Sequence, residues 1–108
     1  MTDRELLELA AKAAGYNVVW SDLWQRFQHV EPIKLFDMER FSWIPLDDDG
    51  DVLRLAVKLL FEIDMERNGI AIRHSTGIKI LEDFSNDPYA ATRRAIVRAA
   101  AEIGKAMQ

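Results

Sequence analysis

Residues 61–83 carry the pattern that most restricts the fold of this chain. Residues 61–66 alternate between apolar and acidic side chains, as a half-buried strand does. Asn68-Gly69 is the dipeptide most typical of a two-residue hairpin turn, and Ser75-Thr76-Gly77 suits a second, three-residue loop. The segment therefore predicts a meander of three antiparallel strands, one face of which other elements must cover. The residues predicted on that face are Phe61, Ile63, Met65, Ile72, Ile78 and Ile80.

The register of the meander follows from its turns. A two-residue turn at Asn68-Gly69 sets Met65 opposite Ile72, so that apolar side chains meet across the hairpin. The three-residue loop sets Ile72 opposite Ile80, whereas a two-residue loop would set Ile72 opposite Leu81 and mix the faces. We therefore expect one continuous apolar face across the three strands.

Two helices are marked by signals at their ends. Thr2 and Glu5 stand three residues apart as a capping box, and Gly15 suits the left-handed conformation that ends a helix. Asp87-Pro88 begins the last helix, because the amide that proline lacks would be unpaired at the first helical position. These signals predict helices over residues 3–14 and 88–107.

Residues 52–59 fit two periodicities. Their alternation fits a strand, whereas the spacing of Val52, Leu55 and Leu59 fits a helix. Aspartates precede this run at positions 47–49 and 51, and aspartate is favoured at helix N-caps and in first turns. We therefore predict a helix over residues 50–60, with a strand as the alternative.

Residues 16–45 contain most of the aromatic side chains. Residues 16–20 are aromatic and β-branched and predict a short strand. In residues 21–45 no period persists and two prolines interrupt the segment, so we expect loops with at most one helical turn over residues 22–29. Seven of the chain's ten aromatic residues lie in residues 16–45, including all three tryptophans.

The size of the chain and the order of these elements indicate the fold class. A chain of 108 residues with 49% apolar content can enclose one core, so we expect a single domain over residues 1–108. The predicted order of elements is a helix, a strand, an irregular segment, a helix, three strands and a final helix. This order predicts an α+β sandwich. Its helices cover an antiparallel sheet of three to four strands.

Composition excludes several functional classes. The chain has no cysteine, which removes disulfides and zinc-thiolate sites, and its net charge of −4 disfavours general binding to duplex nucleic acid. No apolar run approaches the roughly 20 residues that cross a bilayer. We therefore expect a cytoplasmic protein that does not bind membranes.

Four segments of the chain belong to one sequence pattern: residues 2–15, Trp43-Ile44-Pro45-Leu46, Asp48-Asp49-Gly50-Asp51 with residues 53–59, and the terminal helix over residues 87–105. Together they resemble one known family, the phage ABA sandwich domain. The resemblance implies an α/β sandwich encoded by a phage or prophage of a bacterial host. The family has no established biochemical role, so no catalytic residue is transferred. Residues 21–42 look longer and more aromatic than the family pattern.

The aromatic and basic side chains form the two candidate binding groups. The aromatic group could be an exposed anchor patch, the lining of a ligand pocket or ordinary core. The basic group is Arg93, Arg94 and Arg98, and these side chains could form a phosphate-binding strip. The alternative is a solvated helix face on which Arg98 pairs with Glu102, four residues further along. The candidate binding residues are Trp20, Trp24, Phe27, Phe36, Trp43, Arg94 and Arg98.

Other polar residues have ordinary structural explanations. The aspartates at positions 47–51 lack the spacing of a calcium loop and are better explained as helix caps, so no metal site is predicted. His29 could form a proton-transfer pair with Glu31 beside Asp22, although a packing role is the expected one. His74 is expected on the covered face of the sheet, near its edge, as a hydrogen-bonded structural residue.

Three functional classes remain. The favoured one is a non-catalytic protein that binds a host or defence-system protein through the aromatic segment and the acidic surface of residues 31–66. The second binds or sequesters a small nucleotide-like ligand, and it requires the aromatic residues to converge with Arg93, Arg94 or Arg98. The third is an enzyme, for which no acid–base constellation is found. No cofactor is predicted, and homodimerisation is compatible with all three classes.

Overall fold

The computed structural model describes residues 1–107 and contains three helices and two antiparallel sheets. The helices are α1 (Asp3–Ala14), α2 (Asp49–Leu59) and α3 (Pro88–Ala106). The first sheet has the order β1 (Val18–Ser21), β2 (Arg26–Leu35), β3 (Met38–Trp43). The second has the order β4 (Glu62–Met65), β5 (Gly69–Arg73), β6 (Lys79–Asp83). The fold is the predicted α+β sandwich, with a second sheet that the sequence did not predict.

The helix ends follow the sequence signals. The side chain of Thr2 accepts a hydrogen bond from the amide of Glu5 at 3.1 Å, and Gly15 adopts the left-handed conformation with φ of 73°. Asp48 caps α2, and Asp87 caps α3 by accepting from two amides. Residues 53–59 are helical, which confirms that aspartates at an N-terminus outweighed the strand-like alternation.

The expectation of loops over residues 21–45 is wrong. This segment forms β2 and β3, and residues 22–29 contain no helical turn. A register shift between Gln28 and Ile33 interrupts the pairing of the two strands, so the period of two is lost from the sequence. The hairpin then turns at Phe36 with φ of 58°, a conformation that a bulky side chain rarely adopts.

The predicted register of the first hairpin in the meander is also wrong. Met65 lies opposite Ile70, and Ile63 lies opposite Ile72, two positions away from the expected pairing. The glycine explains the difference, because Gly69 lies in β5 and not at the centre of the turn. A Cβ atom on Gly69 would lie 2.7 Å from the carbonyl oxygen of Glu82, so strand packing requires a glycine there. The second predicted pairing, Ile72 opposite Ile80, is confirmed.

Helix α3 is the centre of the packing. It contacts α1, α2, β5 and β6, and one hydrophobic core draws residues from all three helices and both sheets. Ile72 is fully buried on the covered face of the meander, whereas Ile63 and Met65 are 38% and 57% exposed, so the prediction that they are covered is wrong. They are exposed because α3 lies over β5 and β6 and leaves β4 at the margin.

No helix among the described residues is both long and apolar enough to cross a membrane.

Candidate functional site

The predicted aromatic group divides into buried and exposed members. Phe27 and Trp43 are 4% and 1% exposed and lie opposite each other on β2 and β3, where both belong to the hydrophobic core. Trp20 is half-buried, and Arg4 lies over its ring at 4.4 Å from the centroid. These three side chains therefore stabilise the fold.

The exposed members lie at two turns. Trp24, in the turn between β1 and β2, is 61% exposed, and Phe36, in the turn between β2 and β3, is fully exposed. Sequence reasoning did not include three further exposed apolar side chains of the same hairpin among the candidate binding residues, because it did not recognise the strands that carry them. These are Val30, Met38 and Phe41, which are 52%, 74% and 46% exposed.

These side chains lie on a projecting hairpin, residues 30–41, which we call the β2–β3 arm. Strand β1 pairs with β2 over residues 26–29 and the amide of Val30 donates to the carbonyl of Asn17 at 3.0 Å, so the arm beyond Val30 extends past the three-stranded part of the sheet. Leu35 pairs with Met38 directly behind the turn. The left-handed conformation of Phe36 stores strain of about 1–3 kcal/mol, and such strain is concentrated at functional sites.

A buried carboxylate anchors the arm to α2. Asp51 is 1% exposed, and its two oxygens accept from Arg40 Nη2 at 3.0 Å and from Arg40 Nε at 3.2 Å. Arg54 Nη2 donates to the same carboxylate at 2.7 Å, and the amide of Ile44 donates at 2.9 Å. Burial alone would raise the pKa of Asp51, but the hydrogen bonds outweigh it and hold that pKa below its ordinary value. The carboxylate is therefore charged and fully bonded, and it ties β3 to α2.

A buried histidine and a half-buried tyrosine lie near this carboxylate. His29 on β2 is 5% exposed and meets the edge of Tyr16 with ring centroids 5.5 Å apart. Burial raises the pKa of Tyr16. Burial lowers the pKa of His29; the charge of Asp51 acts in the opposite direction, and the charges of Arg40 and Arg54 lower that pKa further. His29 Nε2 has no hydrogen-bond partner among the described residues, and Glu31 is exposed. The geometry gives His29 a packing position, and it does not join His29 to Glu31 or Asp22.

Stability is expected to decrease as the pH falls through the titration range of His29. Because the folded protein lowers the pKa of His29 below 6.5, the unfolded chain binds more protons, and the free energy of unfolding falls below about pH 6.5. The measurement is urea unfolding at several pH values between about 7 and 5. His29→Phe, which keeps a ring against Tyr16, should flatten this profile. An equal slope in the variant would contradict the role of His29.

The three arginines of α3 each contact a different part of the structure. Arg93 donates to Asp49 at 2.7 Å and to the carbonyl of Leu46 at 2.9 Å, and Arg94 donates to Asp3 at 2.9 Å. Arg98 pairs with Glu82 of β6 and not with Glu102, so the predicted pairing within the helix is wrong. These three side chains link α3 to its neighbours.

The cavity beside the aromatic group carries other arginines. Trp20, Phe27 and Trp43 line a cavity of about 200 Å³, and the arginines among its lining residues are Arg4 and Arg26. Arg93, Arg94 and Arg98 are not among its lining residues. The convergence that the nucleotide-like alternative required is therefore not found in this cavity.

The remaining polar residues have structural contacts. Asp48 caps α2, and Asp49 pairs with Arg93. Within residues 1–107, no group of three or more histidine, aspartate or glutamate side chains is arranged to hold a metal ion. His74 Nδ1 lies 2.8 Å from the hydroxyl of Thr76, which confirms a hydrogen-bonded structural histidine.

No protein-family model, curated protein or solved structure matches the chain. Membership of the phage ABA sandwich family therefore stays a prediction from the sequence segments named above.

Proposed function

We propose that this protein acts without catalysis, by binding another protein through the β2–β3 arm. The observation that carries the proposal is Phe36, which is fully exposed in a left-handed turn at the end of a projecting hairpin. Val30, Met38 and Phe41 add exposed apolar surface to the same arm. Several exposed apolar side chains on one short hairpin are typical of a site of protein interaction.

The charge of the arm indicates the chemistry of the partner surface. The exposed ionised residues of the arm are Glu31, Lys34, Asp37 and Glu39, so its net charge is 1 − 3 = −2. Arg40 does not alter this balance, because its guanidinium is paired with the buried Asp51. A partner with an apolar groove bordered by basic side chains is complementary to this arm.

The anchoring of the arm supports binding in a second way. The bidentate contact between Arg40 and Asp51 fixes the arm to α2 before any partner is present. A hairpin held in one orientation loses less conformational entropy when it binds. The buried carboxylate thus positions the arm and takes no part in chemistry.

The proposed origin and partner rest on the sequence resemblance. The segments that resemble the phage ABA sandwich domain support a phage or prophage accessory protein that acts in the cytoplasm of a bacterial host. Its partner is then a host or defence-system protein. Trp24 offers a further exposed anchor at the other turn of the first sheet.

Removal of the apolar arm surface is expected to abolish binding and leave the fold intact. In Phe36→Ser with Phe41→Ser, the free energy of unfolding should change by less than about 1 kcal/mol, because both side chains are exposed. The protein is purified with an affinity tag from a bacterial host, and bound polypeptides are identified by mass spectrometry. A photoreactive phenylalanine analogue at position 36 then tests direct contact by crosslinking.

A matched control separates the arm from general surface hydrophobicity. Leu81→Ser removes a 63% exposed apolar side chain from the second sheet and should leave binding unchanged. Loss of the bound polypeptide in the control as well, or its retention in the arm variant, would contradict the proposal. Native mass spectra of the same material reveal a homodimer or a small-molecule adduct, and an adduct with no bound polypeptide would favour the nucleotide-like alternative.

A further inference from the structure

The outer edge of β4 has unpaired backbone groups. The amide of Glu66 donates to the carbonyl of Gly69 at 2.9 Å, so alternation along the antiparallel ladder directs Glu62 and Asp64 toward β5. The N–H and C=O groups of Ile63 and Met65 therefore point away from the sheet. None of the described residues forms a hydrogen bond with them. The edge is a template for another strand.

The opposite edge of the same sheet is partly protected. On β6, Arg98 of α3 donates to the carbonyl of Leu81 at 3.3 Å and pairs with Glu82. Helix α3 also packs over β5 and β6. The two edges therefore differ: Arg98 contacts the β6 edge, whereas the β4 edge has two exposed apolar side chains, Ile63 and Met65, beside its free backbone groups.

An apolar groove lies beside the open edge. It has a volume of about 300 Å³ and is bounded by α2, β4 and the first turns of α3. Ile63 and Met65 contribute their exposed side chains to it. Its other apolar lining residues are Val52, Leu53, Tyr89 and Ile96. A strand added along β4 would place every second side chain in this groove.

The other face of β4 is acidic. Glu62 and Asp64 lie on the face opposite to Ile63 and Met65, because side chains alternate along a strand. Asp64 pairs with Arg73 at 3.2 Å, whereas Glu62 and Glu66 have no ionic partner among the described residues. An added strand would therefore meet two unneutralised carboxylates on this face.

This charge excludes a second copy of β4 as the added strand. Antiparallel pairing that keeps the apolar residues on one face sets Ile63 opposite Ile63 or Met65 of the copy. Each of these registers apposes acidic residues, such as Glu62 with Asp64 or Asp64 with Asp64. Like charges directly opposite each other are destabilising, so the complementary strand is basic where this one is acidic.

We propose that the β4 edge binds an extended peptide segment of another protein in which apolar and basic residues alternate. The segment adds a fourth strand to the second sheet, with its backbone paired to Ile63 and Met65. Its apolar side chains enter the groove, and its basic side chains face Glu62, Asp64 and Glu66. This site lies on a different sheet from the β2–β3 arm, and the proposal stands independently of it.

The test uses two synthetic hexapeptides with blocked ends. Lys-Val-Arg-Val-Lys-Val is titrated into the isotopically labelled protein and followed by NMR, with Glu-Val-Glu-Val-Glu-Val as the matched acidic peptide. We expect shifts at Ile63, Met65, Leu53 and Tyr89, slower exchange of the Ile63 and Met65 amides, and binding at least tenfold tighter for the basic peptide. No binding up to about 1 mM, shifts confined to other surfaces, or equal binding of both peptides would overturn the proposal.

Proline variants test the backbone pairing. Met65→Pro removes an outward-facing amide, which an edge strand tolerates, and should weaken binding of the basic peptide at least tenfold. Leu81→Pro makes the same change on the protected edge and should have no effect. If Met65→Pro fails to fold, Glu62→Lys with Glu66→Lys tests the charge instead, because both side chains are exposed. This variant should prefer the acidic peptide, and an unchanged preference for the basic one would overturn the proposal.

Discussion

Asp51→Asn is expected to lower the free energy of unfolding by about 3–5 kcal/mol. Asp51 is 1% exposed and is the shared partner of Arg40 and Arg54, whose side chains are 29% and 36% exposed. An asparagine of similar shape keeps the packing but leaves both guanidinium groups without their main counter-charge. The partial exposure of the arginines favours the lower end of this range. Urea unfolding followed by tryptophan fluorescence measures the change.

Asp48→Asn is the matched control for this prediction. It also removes one carboxylate from the beginning of α2, 3.5 Å from Arg40 and 4.0 Å from Arg54, but this carboxylate is 37% exposed and asparagine caps a helix about as well as aspartate. The control should therefore lower the free energy of unfolding by less than about 1 kcal/mol. Equal effects of the two substitutions would show that loss of negative charge at the helix end, and not the buried ion pair, determines stability.

The buried carboxylate of Asp51 also predicts how the free energy of unfolding changes at acidic pH. The folded protein holds the pKa of Asp51 below 3.8, so its contribution to stability is complete above about that pH and is lost as the pH falls through the folded pKa. Asp51→Asn should remove this part of the acid-induced loss. The arm should lose its anchor in the variant as well, because Arg40 then has no buried carboxylate to bind.

Gly104→Ala is expected to lower the free energy of unfolding by about 3 kcal/mol, despite the higher helix propensity of alanine. Gly104 lies where α3 crosses α1, and a Cβ atom there would lie 2.0 Å from the carbonyl oxygen of Leu9. No rotation of a side chain relieves a contact with backbone, so the two helices must separate. Ala100, one turn before Gly104 on the same helix face, is fully buried, as is Ala10 of α1, and small residues of this kind allow the close approach.

Gly50→Ala is the matched control within another helix. A Cβ atom at Gly50 would meet Arg54 Nη1 and Asp48 Oδ2, both at 3.2 Å, and these are the ends of side chains that can move. The free energy of unfolding should change by less than about 1 kcal/mol. A stability of Gly104→Ala equal to that of the unsubstituted protein would contradict the close crossing of α1 and α3.

The parts of the fold that depend on neighbouring residues were predictable. Thr2, Gly15 and Asp87 bind or turn the backbone within a few residues of themselves, so the helix ends follow from the sequence. The alternation and turn residues of the meander act at similarly short range. The sequence did not show whether Trp24 and Phe36 are buried or exposed, because an aromatic side chain suits a core and an interface equally.

The errors share a cause in contacts between distant segments. The bulge between Gln28 and Ile33 hid two strands, and the hairpin register depended on the approach of Gly69 to β6. The role of Asp51 was missed because its partner Arg40 lies on one of those hidden strands. Exposure of Ile63 and Met65 depended on how far α3 extends across the second sheet.

The sequence by itself thus determined the three helices, the antiparallel meander and the α+β class, because caps, turn residues and periodicity act through bonds between near neighbours. The tertiary structure decided which apolar residues are covered, which carboxylate is buried and which sheet edge is open. These properties depend on the distances between segments far apart in the chain, and no local pattern encodes them. Both proposed binding surfaces, the β2–β3 arm and the β4 edge, belong to this second group.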